Sequence, residues 1–223
     1  MKQHELIGTA RVPDGVELRL MRSDDDFAIV LDRNELMCSD MSASEEALAT
    51  MTCERLGGRP APQLLIGGYG MGFTLRAALA ALGEDASVTV AELVPEIIQW
   101  ARGPMRELTA ECLDDARVLL VMDDVAMLID AAWEGYDAIL LDVDNGPEGL
   151  TRRLNDRLYS KHGLQSARAA LKPKGILAIW SAYADPAFTT ELQGAGFDVT
   201  QVRVNALPNG DGVRHVIWFA QNG

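Results

Sequence analysis

The sequence predicts an α/β protein: a doubly wound, mostly parallel sheet of seven strands with an antiparallel last strand, plus a small N-terminal β-hairpin extension. Three observations carry that reading. Strand-like apolar runs alternate with helical patterns from residue 63 to residue 194, as parallel strands joined by crossover helices require. The last two runs, 197–205 and 213–220, are separated only by a turn containing Pro208, Asn209, Gly210, Asp211 and Gly212, so the final strand folds back on its neighbour. The first forty residues hold short alternating segments and no helical pattern.

Taken in order, residues 16–22 and 27–31 alternate or run apolar around Ser23, Asp24, Asp25 and Asp26, which reads as a hairpin; residues 35–38 suit a short third strand. Ser42 followed by Glu45 is a capping-box start for a helix ending near Leu56, where Gly57, Gly58 and Pro60 stop it. We therefore divide the chain into an extension at 1–41 and an α/β domain at 42–223. The domain's strands are expected at 63–67, 87–92, 117–121, 137–142, 174–180, 197–205 and 213–220.

Composition bounds the function. The 223 residues suit one domain with a small addition, and a hydrophobic content of 48% supplies a sizeable core. No stretch approaches the roughly 20 apolar residues of a membrane span, and no apolar segment precedes a cleavage site at the N-terminus, so neither membrane insertion nor secretion is expected. Cys38, Cys53 and Cys112 are odd in number, widely spaced and without nearby His, which suits buried thiols in a reducing cytoplasm. A net charge of −13 argues against a nucleic-acid partner. It is compatible with simple solubility and with attraction of a cationic substrate.

The most informative segment begins at Gln63. Leu64, Leu65 and Ile66 run into Gly67, Gly68, Tyr69, Gly70, Met71 and Gly72, and a helical pattern follows at once from Phe73. Strand, glycine turn and helix form an arrangement that lets a nucleoside-type cofactor approach the backbone closely. A second strand ends at Glu92, with Leu93 beside it, about twenty residues downstream, where a carboxylate can accept both ribose hydroxyls. Two more acidic sites fall at strand ends. Asp123 and Asp124 suit contact with the exocyclic amine of adenine, and equally suit a helix N-cap. Asp142 and Asp144 open a loop rich in Gly and Pro beside the glycine turn, a place for a substrate-binding or catalytic carboxylate. Trp180, Ser181 and Tyr183 follow another strand and are candidates for the acceptor pocket. His4, His162 and His215 have no metal-ligand spacing, so no metal is expected; His215, inside the last strand, reads as structural.

The chain resembles the spermidine synthase-like (polyamine aminopropyltransferase) family of the class I S-adenosylmethionine (SAM) methyltransferase-like superfamily, whose Rossmann-like sheet ends in the same antiparallel hairpin. The likeness runs through the N-terminal hairpins, residues 64–72, 90–96, Asp123, 142–149 and 170–177. It implies that Glu92 holds the ribose, Asp123 the adenine, and that Asp142 receives the attacking amine. The family carries a Tyr shortly after the acidic loop, which places Tyr159 among the substrate contacts; it also implies a homodimer. In two respects the chain departs from the family: the glycine turn lacks the Asp that the family places within it, and the loop opened by Asp142 is shorter than the family's, with Asp144, Asn145, Gly146 and Pro147 in place of a longer Asp-Pro segment. Decarboxylated SAM needs a carboxylate for its aminopropyl ammonium, whereas ordinary SAM keeps its own.

Three functions stay open on these residues. The leading expectation is transfer of a methyl or alkyl group from SAM to a small cationic amine. Its alternative is aminopropyl transfer from decarboxylated SAM. The third is a SAM-binding protein without catalysis.

Overall fold

The computed structural model describes residues 4–13, 15–32, 34–143, 157–210 and 212–223. Four strands, β1 (Glu5–Arg11), β2 (Glu17–Ser23), β3 (Asp26–Leu31) and β4 (Asn34–Cys38), form an antiparallel meander in chain order. The expected hairpin is β2–β3, paired from Leu18↔Leu31 to Ser23↔Asp26. β1 was not legible in the sequence. It is an edge strand with one buried side chain, Ala10, so it carries little apolar alternation.

The second sheet contains β5 (Gln63–Gly67), β6 (Ser87–Ala91), β7 (Val118–Val121), β8 (Tyr136–Leu141), β9 (Leu171–Ser181), β10 (Phe197–Asn205) and β11 (Arg214–Asn222). Their spatial order is β10-β11-β9-β8-β5-β6-β7. Pairing is parallel from β9 through β7, and β11 is antiparallel to both β9 and β10. β9 begins earlier than the expected 174, at Leu171, and Pro173 and Gly175 are accommodated beside a register shift opposite Tyr136 and Ala138. The order reverses between β5 and β8, and open parallel sheets bind their ligands at the carboxyl ends of the strands flanking such a switch.

Helices α1 (Ala43–Leu56), α2 (Phe73–Ala81), α3 (Pro95–Arg102), α4 (Arg106–Thr109), α5 (Val125–Ala131), α6 (Lys161–Ala170) and α7 (Pro186–Gly194) cover the sheet. One apolar layer joins Leu48 of α1, Leu75 of α2 and Ile97 of α3 to Leu18, Ile29 and Leu31 of the N-terminal sheet. The other packs α5, α6 and α7 on the opposite face around Ile139, Phe188 and Trp218. The N-terminal sheet therefore buries its apolar face on the α/β unit itself. Gly8 of β1 marks how closely they meet, since a Cβ there would lie 2.6 Å from the Trp100 indole nitrogen of α3.

One local expectation fails in an informative way. Ser42 does stand at the N-cap of α1, but its side chain makes no capping bond, and Glu45 does not reach back to it. The Glu45 carboxylate instead accepts from Ser44 Oγ at 2.5 Å and is buried. It has been drawn inward, toward the ends of β5 and β8.

Candidate active site

A cleft of about 1070 Å3, counted out to its open mouth, lies over the carboxyl ends of β5, β6, β7 and β8. Its floor is formed by Gly68, Gly70, Ala91, Glu92, Leu93, Asp123, Asp124, Asp142 and Val143. Its roof comes from the N-terminal sheet: Val12, Leu18, Ile29, Leu31, Leu36 and Met37. Glu45 of α1 and Trp180 at the end of β9 complete the wall.

The glycine turn is shaped by two close approaches. Gly68 has φ +86°, and a Cβ there would lie 2.4 Å from the Asp142 carbonyl oxygen. Gly70 has φ +54°, and a Cβ there would meet the Met37 thioether at 2.9 Å. Only glycine lets the chain turn left-handed while the next strand end and the roof press against it. Gly67, Tyr69 and Gly72 are set back from the cleft wall. Tyr69 is buried, with its hydroxyl 3.4 Å from Cys112 Sγ.

Glu92 is pinned from two sides. Its Oε2 accepts from the Tyr69 amide at 2.9 Å and its Oε1 from the Val94 amide at 2.8 Å. The carboxylate stands in the cleft floor, where the vicinal hydroxyls of a ribose could reach it. Burial pushes the carboxyl upward from its ordinary range, against the pull of the amides of Tyr69, Val94, Leu93 and Gly70. Asp123 and Asp124 both line the cleft. Asp123 Oδ1 accepts from the Asp124 amide at 2.8 Å. Asp124 is the N-cap of α5, accepting from Ala126 N at 2.8 Å, and pairs with Arg157 at 3.0 Å. For Asp124 the capping reading is realised at the cleft's edge.

Asp142 closes β8. Its amide donates to Gly67 O at 3.0 Å, and its Oδ2 accepts from Thr74 Oγ1 at 2.6 Å. Burial raises its pKa above the ordinary carboxylate range, and the Thr74 hydroxyl opposes the shift. Burial raises Glu45 as well, and the Asp142 charge adds to it. Two carboxylates thus share one end of the cleft without a Lys or Arg paired to either among the described residues, so one of them retains its proton most easily.

Asp144 lies outside the described residues. Tyr159 and Tyr183 are not among the residues lining the cleft. Tyr159 is buried edge-on to Phe188, at 5.6 Å between ring centroids, and Tyr183 is 72% exposed. Sequence reasoning missed Glu45 and the whole roof. It did single out Trp180, whose indole N–H is buried without an acceptor among the described residues. No group of three or more His, Cys, Asp or Glu among the described residues is arranged to hold a metal ion.

The chain has relatives among known proteins. The spermine/spermidine synthase domain matches residues 43–192. A polyamine aminopropyltransferase of Mycobacterium tuberculosis is 30% identical over 205 residues, covering 87% of this chain and 38% of that one. One from Saccharolobus solfataricus is 29% identical over 134 residues, 60% of this chain and 42% of its own. The chain spans about two fifths of the length of these curated relatives. Among solved structures, spermidine synthase from Thermotoga maritima superposes with a TM-score of 0.75 at 20% identity, covering 98% of this chain and 73% of that one. A probable spermidine synthase from Corynebacterium glutamicum gives 0.68 at 15% identity, covering 98% and 81%. At those identities the superpositions speak for the fold.

Proposed function

Because this chain belongs to the spermine/spermidine synthase domain family, we propose that it is a polyamine aminopropyltransferase, moving the aminopropyl group of decarboxylated SAM to a small cationic amine. The observation that carries this reading is the sign of the cleft. Its described lining residues include Glu45, Glu92, Asp123, Asp124 and Asp142, and no Lys, Arg or His. Decarboxylated SAM carries two positive groups, a sulfonium and an ammonium. Ordinary SAM adds a carboxylate that this wall repels. The preference for ordinary SAM rested on the missing Asp of the glycine turn, and Glu45 brings a carboxylate into the same cleft from α1.

In this reading Glu92 takes the ribose hydroxyls and Asp123 the adenine amine. The sulfonium is already a good leaving group, so the protein's task is alignment. Asp142 orients the neutral acceptor amine. As nitrogen bonds to the aminopropyl carbon, the carbon–sulfur bond breaks, methylthioadenosine leaves, and the amine's proton passes to a carboxylate. A raised carboxylate pKa suits that acceptance near neutral pH. Asp144 and a homodimer remain part of the proposal; light scattering at micromolar concentration tests the dimer.

Calorimetry with the two donors decides the reading. Decarboxylated SAM should bind at least tenfold more tightly than SAM and release methylthioadenosine when 1,4-diaminobutane is added. Tighter binding of SAM, with methyl transfer to the amine, would instead establish the methyltransferase reading.

A further inference from the structure

Behind the cleft lies a hydrogen-bonded chain that the reaction as drawn does not use. Ser44 Oγ, fully buried, donates to Glu45 Oε2 at 2.5 Å and lies 2.9 Å from His215 Nδ1. A hydroxyl has one proton. When Ser44 gives it to a charged Glu45, the imidazole must donate from Nδ1 to the Ser44 oxygen. When Glu45 carries a proton, both bonds reverse: Glu45 donates to Ser44, Ser44 donates to Nδ1, and the imidazole proton sits on Nε2. The atoms need not move. His215 is held for this role, buried in β11 and edge-on to Trp180 at 4.7 Å.

We propose that Glu45, Ser44 and His215 are a proton relay for the transfer reaction, with Glu45 binding the cationic amine opposite Asp142, taking its proton, and passing it through Ser44 to His215. This rests on the aminopropyl reading for its substrate, but not for its chemistry. The balance takes three steps: the proton lost by the amine protonates Glu45; the imidazole loses its Nδ1 proton and gains one at Nε2 by exchange with water, with no net change; and a concerted shift along the chain then delivers one proton to Ser44 and one to Nδ1 and releases one from Nε2 to water, which restores the charged Glu45. The groups around Glu45 favour such an exchange. Asp142 faces it from the end of β8, Glu46 from its own helix, Ser44 and His215 from behind, and Thr74 Oγ1 of α2 lies 3.4 Å from its carbonyl. Burial lowers the pKa of His215, so the imidazole is neutral when it receives the proton.

The wild-type protein tests this directly. Nitrogen-15 spectra of labelled histidine should show His215 as the Nε2–H tautomer at low pH and as Nδ1–H once Glu45 has lost its proton. A single tautomer across the whole range would overturn the relay, whatever the donor proves to be. Variants supply the kinetic arm, with folding checked by methylthioadenosine affinity, which should stay within twofold. Glu45→Gln should lower kcat about 100-fold. His215→Asn keeps a donor near the Nδ1 position but has no second nitrogen to release a proton, so kcat should fall as far as in Ser44→Ala, about tenfold. A merely structural histidine predicts wild-type kcat in His215→Asn, and that result would remove His215 from the mechanism. If the wild type itself transfers no aminopropyl group, the proposed function fails while the tautomer result still decides the relay.

Discussion

Thr74 Oγ1 donates to Asp142 Oδ2 at 2.6 Å, joining the first turn of α2 to the end of β8 across the glycine turn. The bond stabilises the charged carboxylate against its burial. Thr74→Val keeps the shape and removes the donor. Asp142 should then titrate higher, and the acid limb of the pH–rate profile should move up by about 1–2 units, the equivalent of one hydrogen bond to a charged group. An unmoved limb would mean that Asp142 does not control it.

Asp142→Asn should bind methylthioadenosine as the wild type does while kcat falls about 100-fold, because the acceptor amine loses the carboxylate that aligns it. Steady-state kinetics on a variant with wild-type melting behaviour checks this. Turnover within a few-fold of wild type would reduce Asp142 to a loop anchor.

Glu92→Ala removes the proposed ribose acceptor together with the anchors of the Tyr69 and Val94 amides. Methylthioadenosine should no longer raise the melting temperature. The unliganded protein should lose about 1–3 kcal/mol, because two buried amides are left unpaired. Retained nucleoside affinity would place the ribose elsewhere.

Gly68→Ala forces a Cβ into a left-handed position and to 2.4 Å from the Asp142 carbonyl oxygen. The conformational cost is about 1–2 kcal/mol and overpacking adds about 1–3 kcal/mol. Denaturant unfolding should show the sum, and the cleft should lose donor affinity in parallel.

Two buried acids should make stability depend on pH in opposite senses. Asp137 is buried, which alone would raise it, but Lys172, the Gln63 amide and Arg59 hold it below the ordinary range. Its stabilisation is present above the unfolded pKa and is lost as pH falls through the folded value; Asp137→Asn should cost about 3–5 kcal/mol at neutral pH. Glu45 is raised, so the native state keeps a proton that the unfolded chain has released. Stability from this group falls as pH rises from the unfolded pKa to the folded one. Glu45→Gln should therefore raise the melting temperature more at pH 9 than at pH 5. An equal shift at both would contradict the raised pKa.

Much of the site was legible because it is written locally. A glycine turn after an apolar strand, and carboxylates at the ends of the next strands, are patterns within a few residues, and Glu92, Asp123 and Asp142 all line the cleft. Glu45 was not legible, because three residues after Ser42 it imitates a capping partner; only the packing of α1 against the sheet turns it inward. The roof escaped for a related reason. The alternation in β2 and β3 shows which side chains are buried, but not that Leu18, Ile29 and Leu31 are buried over a ligand cleft. Tyr159 shows what position in the chain leaves open: its ring packs edge-on to Phe188, while its hydroxyl lies 3.5 Å from the carbonyl oxygen of Val143, a cleft-lining residue.

The bond between Ser44 and His215 spans 171 positions of the chain. During synthesis at about 5–20 residues per second, roughly 10–30 s separate the emergence of α1 from that of β11. For that interval the helix carries a carboxylate with no imidazole behind it, and until Val143 has emerged the apolar residues destined for the roof wait without a completed floor. Apolar surface on the first sheet is thus exposed before the elements that cover it have been made, the condition that favours aggregation of a nascent chain. Slowing translation late in the message should lower the soluble yield, and a chaperone that shields β2 and β3 should restore it.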